Sequence, residues 1–262
     1  LDGTSVALLI FDVSGHGLTA ALITALAELS FKSHIENERN PAAVLTRMNM
    51  DILRKTPGAV FVTAFLMILD TESGNGLYSN AGHVPPLLYR KGHARIDELL
   101  GGGTFLGMIE NIEFDCMPVA LADGDRVILY TDGLVEAMNR EKVLFGKQRL
   151  QDIIQQNAGN GCAALVDTIL KHNASFRDGE MLHDDLCILA IEKKESLFSR
   201  LVKNRLTGKE TGTVTFRQLY TEEEIETVCA DFSAQLQRCG YGDEESKKLR
   251  IVCIEMLMNA LY

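Results

Sequence analysis

The sequence predicts an α+β protein, and three observations carry that expectation. Apolar runs of strand length, VALLIF at 6–11, VFVTAFLMIL at 60–69 and RVILY at 126–130, each stop at a turn. Stretches with helical character, at 18–35 and 42–55, stand between the first two of these runs. The run at 60–69 is followed by a Gly-, Ser- and Asn-rich turn at 70–76 and then by a strand-like 77–79, which reads as a hairpin. With 262 residues, 46% of them hydrophobic, the chain fits one full domain plus part of another.

Taken in order, residues 6–11 read as a strand buried on both faces, ending on Asp12 and a Val13-Ser14-Gly15-His16-Gly17 turn. Residues 18–35 are apolar and alanine-rich, suited to a helix packed on a sheet. Asn40-Pro41 marks the start of a second helix, 42–55, whose Met and Leu positions are core residues. After the hairpin come Asn80-Ala81-Gly82-His83, Pro85-Pro86 and a short strand at 87–89. Gly101, Gly102 and Gly103 read as a loose loop, 112–121 as an alternating strand, and 126–130 as a buried strand running into Thr131-Asp132-Gly133. Residues 150–156 and 163–176 are helical, and 186–191 (LCILAI) is a strand preceded by His183-Asp184-Asp185. Composition shifts at 193–212, which is rich in Lys, Glu and Ser and reads as a linker. A strand at 214–219, a helix at 222–239 and the opening of another at 244–262 follow.

The formal net charge of −10 disfavours nonspecific nucleic-acid binding and is compatible with carboxylate-rich metal sites. No tract approaches 18 uninterrupted apolar residues, so no membrane span is expected, and no charged-then-apolar leader opens the chain. The six cysteines form no CxxC pair and read as reduced thiols of a cytoplasmic protein.

Three acidic positions share one local design. Asp12 follows LLIF, Asp132 follows VILYT, and Asp184-Asp185 precede LCILAI. Any one of them, taken alone, is an ordinary turn or cap residue. Together they place carboxylates at the ends of buried strands, which sheet pairing can bring together across long sequence separations. Carboxylates that converge without basic partners repel, and divalent magnesium or manganese resolves the repulsion. Two such ions can lower the pKa of a water and clamp a phosphoryl group.

The order Asp12-Val13-Ser14-Gly15-His16-Gly17, Asn80-Ala81-Gly82-His83, Tyr130-Thr131-Asp132-Gly133-Leu134-Val135-Glu136 and Asp184-Asp185 resembles the SpoIIE/RsbU-type phosphatases. These are the bacterial branch of the metal-dependent (PPM) serine/threonine protein phosphatases, and the resemblance covers residues 1–192. It implies a central β-sandwich with helices on both outer faces and a binuclear Mn or Mg centre at one end. It implies hydrolysis of phosphoserine or phosphothreonine by a metal-activated water, without a phosphoenzyme. Carried over, Asp12 bridges the metals, the Val13 backbone carbonyl is a further ligand, Asp132 and Asp184 hold one metal, and Asp185 falls beside the ligand position. The family also has an earlier strand with a Gly-Gly-Asp motif, expected to lie before Leu1. His16 and His83 are read as structural hydrogen-bonding residues, and His183 as a weaker candidate for protonating a leaving oxygen.

Near the end of the chain, Glu255 and Asn259 are four apart and lie on one helical face. Glu-x-x-x-Asn-Ala resembles the first ATP-binding motif of GHKL ATPases, especially anti-sigma-factor serine kinases. The resemblance implies that residues 213–262 are the start of such a domain, with Asn259 on the magnesium of ATP and Glu255 beside the attacking group. ATP-Mg binding is expected only of a complete domain. A phosphatase joined to a kinase-like domain implies partner switching. The implied substrate is a phosphorylated STAS-domain anti-sigma factor antagonist, with a sigma factor as a further partner. A second reading is a catalytically weak module that docks a STAS partner or forms a homodimer. A third is an unrelated metallohydrolase acting on small phosphate esters, which needs a deep enclosed pocket.

Overall fold

Strand β1 (Ser5–Val13) pairs antiparallel with β2 (Val62–Asp70), which pairs with β3 (Asn75–Ala81), which pairs with β6 (Met117–Ala120). A second sheet, also antiparallel, has the order β5 (Arg95–Glu98), β4 (Leu87–Arg90), β7 (Arg126–Tyr130), β8 (Ile188–Glu192). These coordinates are a computed structural model that describes residues 5–15, 17–55, 61–182 and 184–194. The linker from residue 195 onward, the second-domain positions Glu255 and Asn259, and both His16 and His183 lie outside the described residues.

Side-chain alternation builds the layers. On β2, Phe65, Met67 and Leu69 point between the sheets and meet Leu88, Val127 and Leu129. Val62, Ala64, Leu66 and Ile68 point the other way, onto helices α1 (Leu18–Ile35) and α2 (Pro41–Lys55). On β7, Val127 and Leu129 face inward, while Ile128 and Tyr130 face α4 (Gly146–Gln156) and α5 (Cys162–Arg177). The layers are therefore α-β-β-α. Helix α2 starts where the sequence signals it: Pro41 occupies the first turn, and Asn40 Oδ1 accepts from the backbone N–H groups of Ala42 (2.9 Å) and Ala43 (3.3 Å). No helix among the described residues is long and apolar enough to cross a membrane.

Three expectations are corrected. Strand β1 is not buried on both faces: among the described residues it stands at the end of its sheet, and of its own residues only Ile10 is fully buried. Its apolar alternation reflects contact with both layers, Val6 and Leu8 toward the inter-sheet core and Ala7, Leu9 and Phe11 toward α1 and α2. The strand expected at 112–121 is only Met117–Ala120, because Ile112, Phe114 and Cys116 pack against the α1–α2 core instead of continuing the ladder. The glycines at 101–103 are not loose. A Cβ at Gly103 would stand 2.4 Å from the Asn80 carbonyl oxygen, and one at Gly101 would stand 2.8 Å from Asn80 Cβ.

Candidate metal centre

Asp12 is the last residue but one of β1, opposite Thr63 of β2, and its alternation places it on the inter-sheet face with Leu8 and Ile10. The turn after it is held in both directions: Ser14 N–H donates to the Phe61 carbonyl, and Phe61 N–H donates to Ser14 Oγ, each at 3.0 Å. That engagement accounts for Ser14 without any nucleophilic role. Gly15 has φ +95°, which a side chain would strain.

Asp132 opens a short helix, α3 (Asp132–Val135), directly after buried β7. Asp184 is brought beside it by Thr131 and Gly133. The buried Thr131 hydroxyl donates to the Asp185 carbonyl and accepts from Cys187 N–H, each at 2.9 Å, while Thr131 N–H donates to the Cys187 carbonyl at 3.1 Å. A Cβ on Gly133 would lie 2.4 Å from the Asp185 carbonyl oxygen and 3.1 Å from that of Asp184. A glycine here is therefore what lets the 184–185 segment close on α3. Neither residue was singled out in the sequence as a site residue. The available signal was the Thr-Asp-Gly run itself, whose threonine and glycine serve the partner segment rather than their own turn.

One carboxylate oxygen from each of Asp12, Asp132 and Asp184 lies within 4.8 Å of the others. Asp12 and Asp132 are half-buried, and Asp184 is exposed. Burial, then Asp132 and Asp184, pushes the Asp12 carboxyl up to about 6, against the opposing hydrogen bond from the Val13 N–H. Burial and Asp184 also raise Asp132. Among the described residues, no cation is among the groups acting on either acid, and buried Asp132 Oδ1 has no hydrogen-bond partner. Neighbouring Cys187 is pushed up to about 11, first by burial and then by Asp12. The carboxylate of Asp185 is not part of the cluster; its backbone carbonyl is engaged by Thr131. Val13 ends β1, paired with Val62.

Behind the cluster, the Asn80-Ala81-Gly82-His83 turn joins the two sheets. Asn80 holds the His83 backbone at both ends: its Oδ1 accepts from His83 N–H at 2.8 Å, and its Nδ2 donates to the His83 carbonyl at 2.9 Å. His83 is buried, and burial lowers its imidazole to about 4, so it is neutral.

Fold and site together define a class: a four-layer α-β-β-α sandwich with a carboxylate cluster drawn from both of its sheets. The profile of the family described as "Stage II sporulation protein E (SpoIIE)" matches residues 2–194, and the chain belongs to that family. It is 25% identical over 193 residues to phosphoserine phosphatase RsbU of Bacillus subtilis, covering 74% of this chain and 57% of that protein. The chain thus spans little more than half the length of that relative. Its fold is similar to the SiaA-PP2C domain of Pseudomonas aeruginosa (TM-score 0.66, 21% identity, 73% of this chain and 77% of the other). It is also similar to the catalytic domain of the serine threonine protein phosphatase PstP in complex with two manganese ions (TM-score 0.51, 12% identity, 72% and 88%).

Proposed function

We propose that the protein is a metal-dependent phosphatase that removes phosphate from phosphoserine or phosphothreonine of a protein partner. The observation that carries this reading is the cluster of Asp12, Asp132 and Asp184, with no cation among the described residues to balance it. The donor set fits hard divalent ions. Carboxylate oxygens suit manganese and magnesium, and the orphaned, buried Asp132 Oδ1 is an acceptor that a cation satisfies. Asp12 would be shared between two ions, Asp132 and Asp184 would hold one of them, and the Val13 carbonyl would be a further ligand, with Asp185 beside the ligand position and outside the cluster. Divalent ions in this position neutralise phosphoryl oxygens and lower the pKa of water.

The chain's own residues set the conditions for that chemistry. Thr131 and Gly133 keep Asp184 at the end of β7, and the turn bonds of Ser14 fix Asp12. Exposed Asp184 leaves the cluster open on one side, which suits the approach of a phosphorylated loop on a protein surface. The similarity to a phosphoserine phosphatase supports the substrate class. We take the partner to be a phosphorylated STAS-domain anti-sigma factor antagonist in a partner-switching pathway. Residues 213–262 are proposed as the start of a GHKL domain that uses Glu255 and Asn259 for ATP-Mg.

The test is manganese-dependent phosphate release from a phosphorylated STAS protein by the parent, Asp12→Asn and Asp132→Asn. Each substitution is expected to lower the rate by more than about 100-fold, beyond the range typical of groups outside the ligand sphere. Activity that survives both substitutions, or that needs no divalent metal, overturns the reading.

A further inference from the structure

The acid cluster draws on two sheets that share no backbone ladder. Asp12 belongs to the β1–β2 pair, and Asp132 and Asp184 to the β7–β8 side. Apolar contacts between the sheets are non-directional and do not pair one chosen atom with another. A directional link does, and one crosses at the cluster's end of the sandwich. His83 Nε2 is 3.2 Å from the Tyr130 carbonyl oxygen, two residues before Asp132. Its Nδ1 is 2.8 Å from Oγ1 of Thr63, the residue opposite Asp12 on β2.

The hydrogen-bonding inventory assigns the tautomer. A carbonyl only accepts, so Nε2 carries the proton and donates to Tyr130, and Nδ1 accepts from the Thr63 hydroxyl. Neutral imidazole is thus fully used, with one end on each sheet. The ring's own position is fixed from behind by the two Asn80 bonds to the His83 backbone. Gly82 sits beside Ala64 of β2 with φ +70°, and a Cβ there would meet the Phe105 ring at 2.6 Å. The turn that presents His83 is therefore held by Asn80 in its first position and by the missing side chain in its third.

We propose that His83 is a positioning residue for the metal centre, setting the distance between Asp12 and Asp132 by bridging Thr63 to the Tyr130 carbonyl. The proposal rests on the reading of the cluster as a metal centre. It gives the Asn80-Ala81-Gly82-His83 run a task distinct from stabilising the fold, because both partners of the imidazole lie on the strand ends that carry or face the acids. A merely structural core histidine changes unfolding when replaced. A positioning histidine also changes how well the acids bind a cation.

Thr63 separates the two. Thr63→Val is close to isosteric, keeps the β-branched shape and removes only the donor to Nδ1. Thr63→Ser keeps the donor. Manganese binding is measured by calorimetry, beside the unfolding temperature of the metal-free protein. Thr63→Val is expected to weaken manganese binding about tenfold, the lower end of what outer-shell partners contribute, and Thr63→Ser to bind like the parent. His83→Gln, which cannot reach both partners, is expected to weaken binding by 10- to 100-fold. Adding Thr63→Val to His83→Gln should then weaken binding no further, since the two act through one link. Should His83→Gln fail to fold, the Val–Ser pair at Thr63 still decides. The proposal is overturned if Thr63→Val binds manganese like the parent, or if Thr63→Ser loses as much as Thr63→Val. A parent that binds no manganese at all overturns the metal-centre reading and this proposal with it, an outcome distinct from equal binding by parent and variants.

Discussion

Strand β7 is buried at all five positions and lies between β4 and β8, whereas β1, nine residues long, is paired only with β2 among the described residues and has one fully buried residue. Each carries an acid of the same cluster within two residues of its C-terminal end, Asp12 for β1 and Asp132 for β7. On the β7 side, the acids are held by polar contacts: Thr131 bonds to both Asp185 and Cys187, and Gly133 admits the neighbouring backbone. On the β1 side, Asp12 is held by its pairing with β2, by the Ser14–Phe61 bonds and, through Thr63, by the His83 bridge. The difference teaches that one half of the cluster is built into a core strand, while the other depends on its neighbour across the ladder.

The contrast in packing is the first way to break this comparison. Leu129→Ala, at a fully buried site of β7, should cost about 2–5 kcal/mol in denaturant unfolding. Leu8→Ala on β1 should cost about 1 kcal/mol, because a half-buried side chain leaves a gap that solvent fills. Equal losses would show that β1 is as deeply packed as β7. Next in size is Gly133→Ala. The added methyl displaces the 184–185 backbone, so manganese affinity should fall by about 10- to 100-fold, read by calorimetry. Unchanged affinity would mean that the close approach does not set Asp184.

The smallest effect concerns pH and has a definite sign. The Asp12 carboxyl is raised in the folded state, from an ordinary value of 3.8 to about 6. As pH rises between these values, the unfolded chain releases its proton first, so the metal-free protein loses stability across that window and does not regain it above. Asp12→Asn removes the penalty. At pH 7, the metal-free variant should be more stable than the parent by roughly 1 kcal/mol, a figure reduced for solvent screening at a half-buried group. Metal should reverse the order, stabilising the parent more than the variant.

Much of the cluster was legible in the sequence because its signal is local. An apolar run that stops at an acid beside glycine, as at Asp12 and Asp132, reports both the strand and the exposed end. The hairpin of β2 and β3 and the start of α2 at Asn40-Pro41 were legible for the same reason. What the sequence hid is non-local. The placement of the helix α3 depends on a partner far along the chain, the 184–185 backbone that closes on Gly133. The contacts Thr63–His83–Tyr130 and Thr131–Asp185 span 20 to 54 residues and leave no periodic trace. His83 was expected to be structural, and its hydrogen bonds are consistent with that; which strand ends they join is visible only in three dimensions.

The most direct test of the account is a manganese titration, followed by calorimetry, of the parent, Asp12→Asn and Asp132→Asn. If acids from both sheets hold the same ions, the parent binds and each single substitution, on either sheet, abolishes or greatly weakens binding. Binding by either variant that matches the parent, or no binding by the parent, would contradict it.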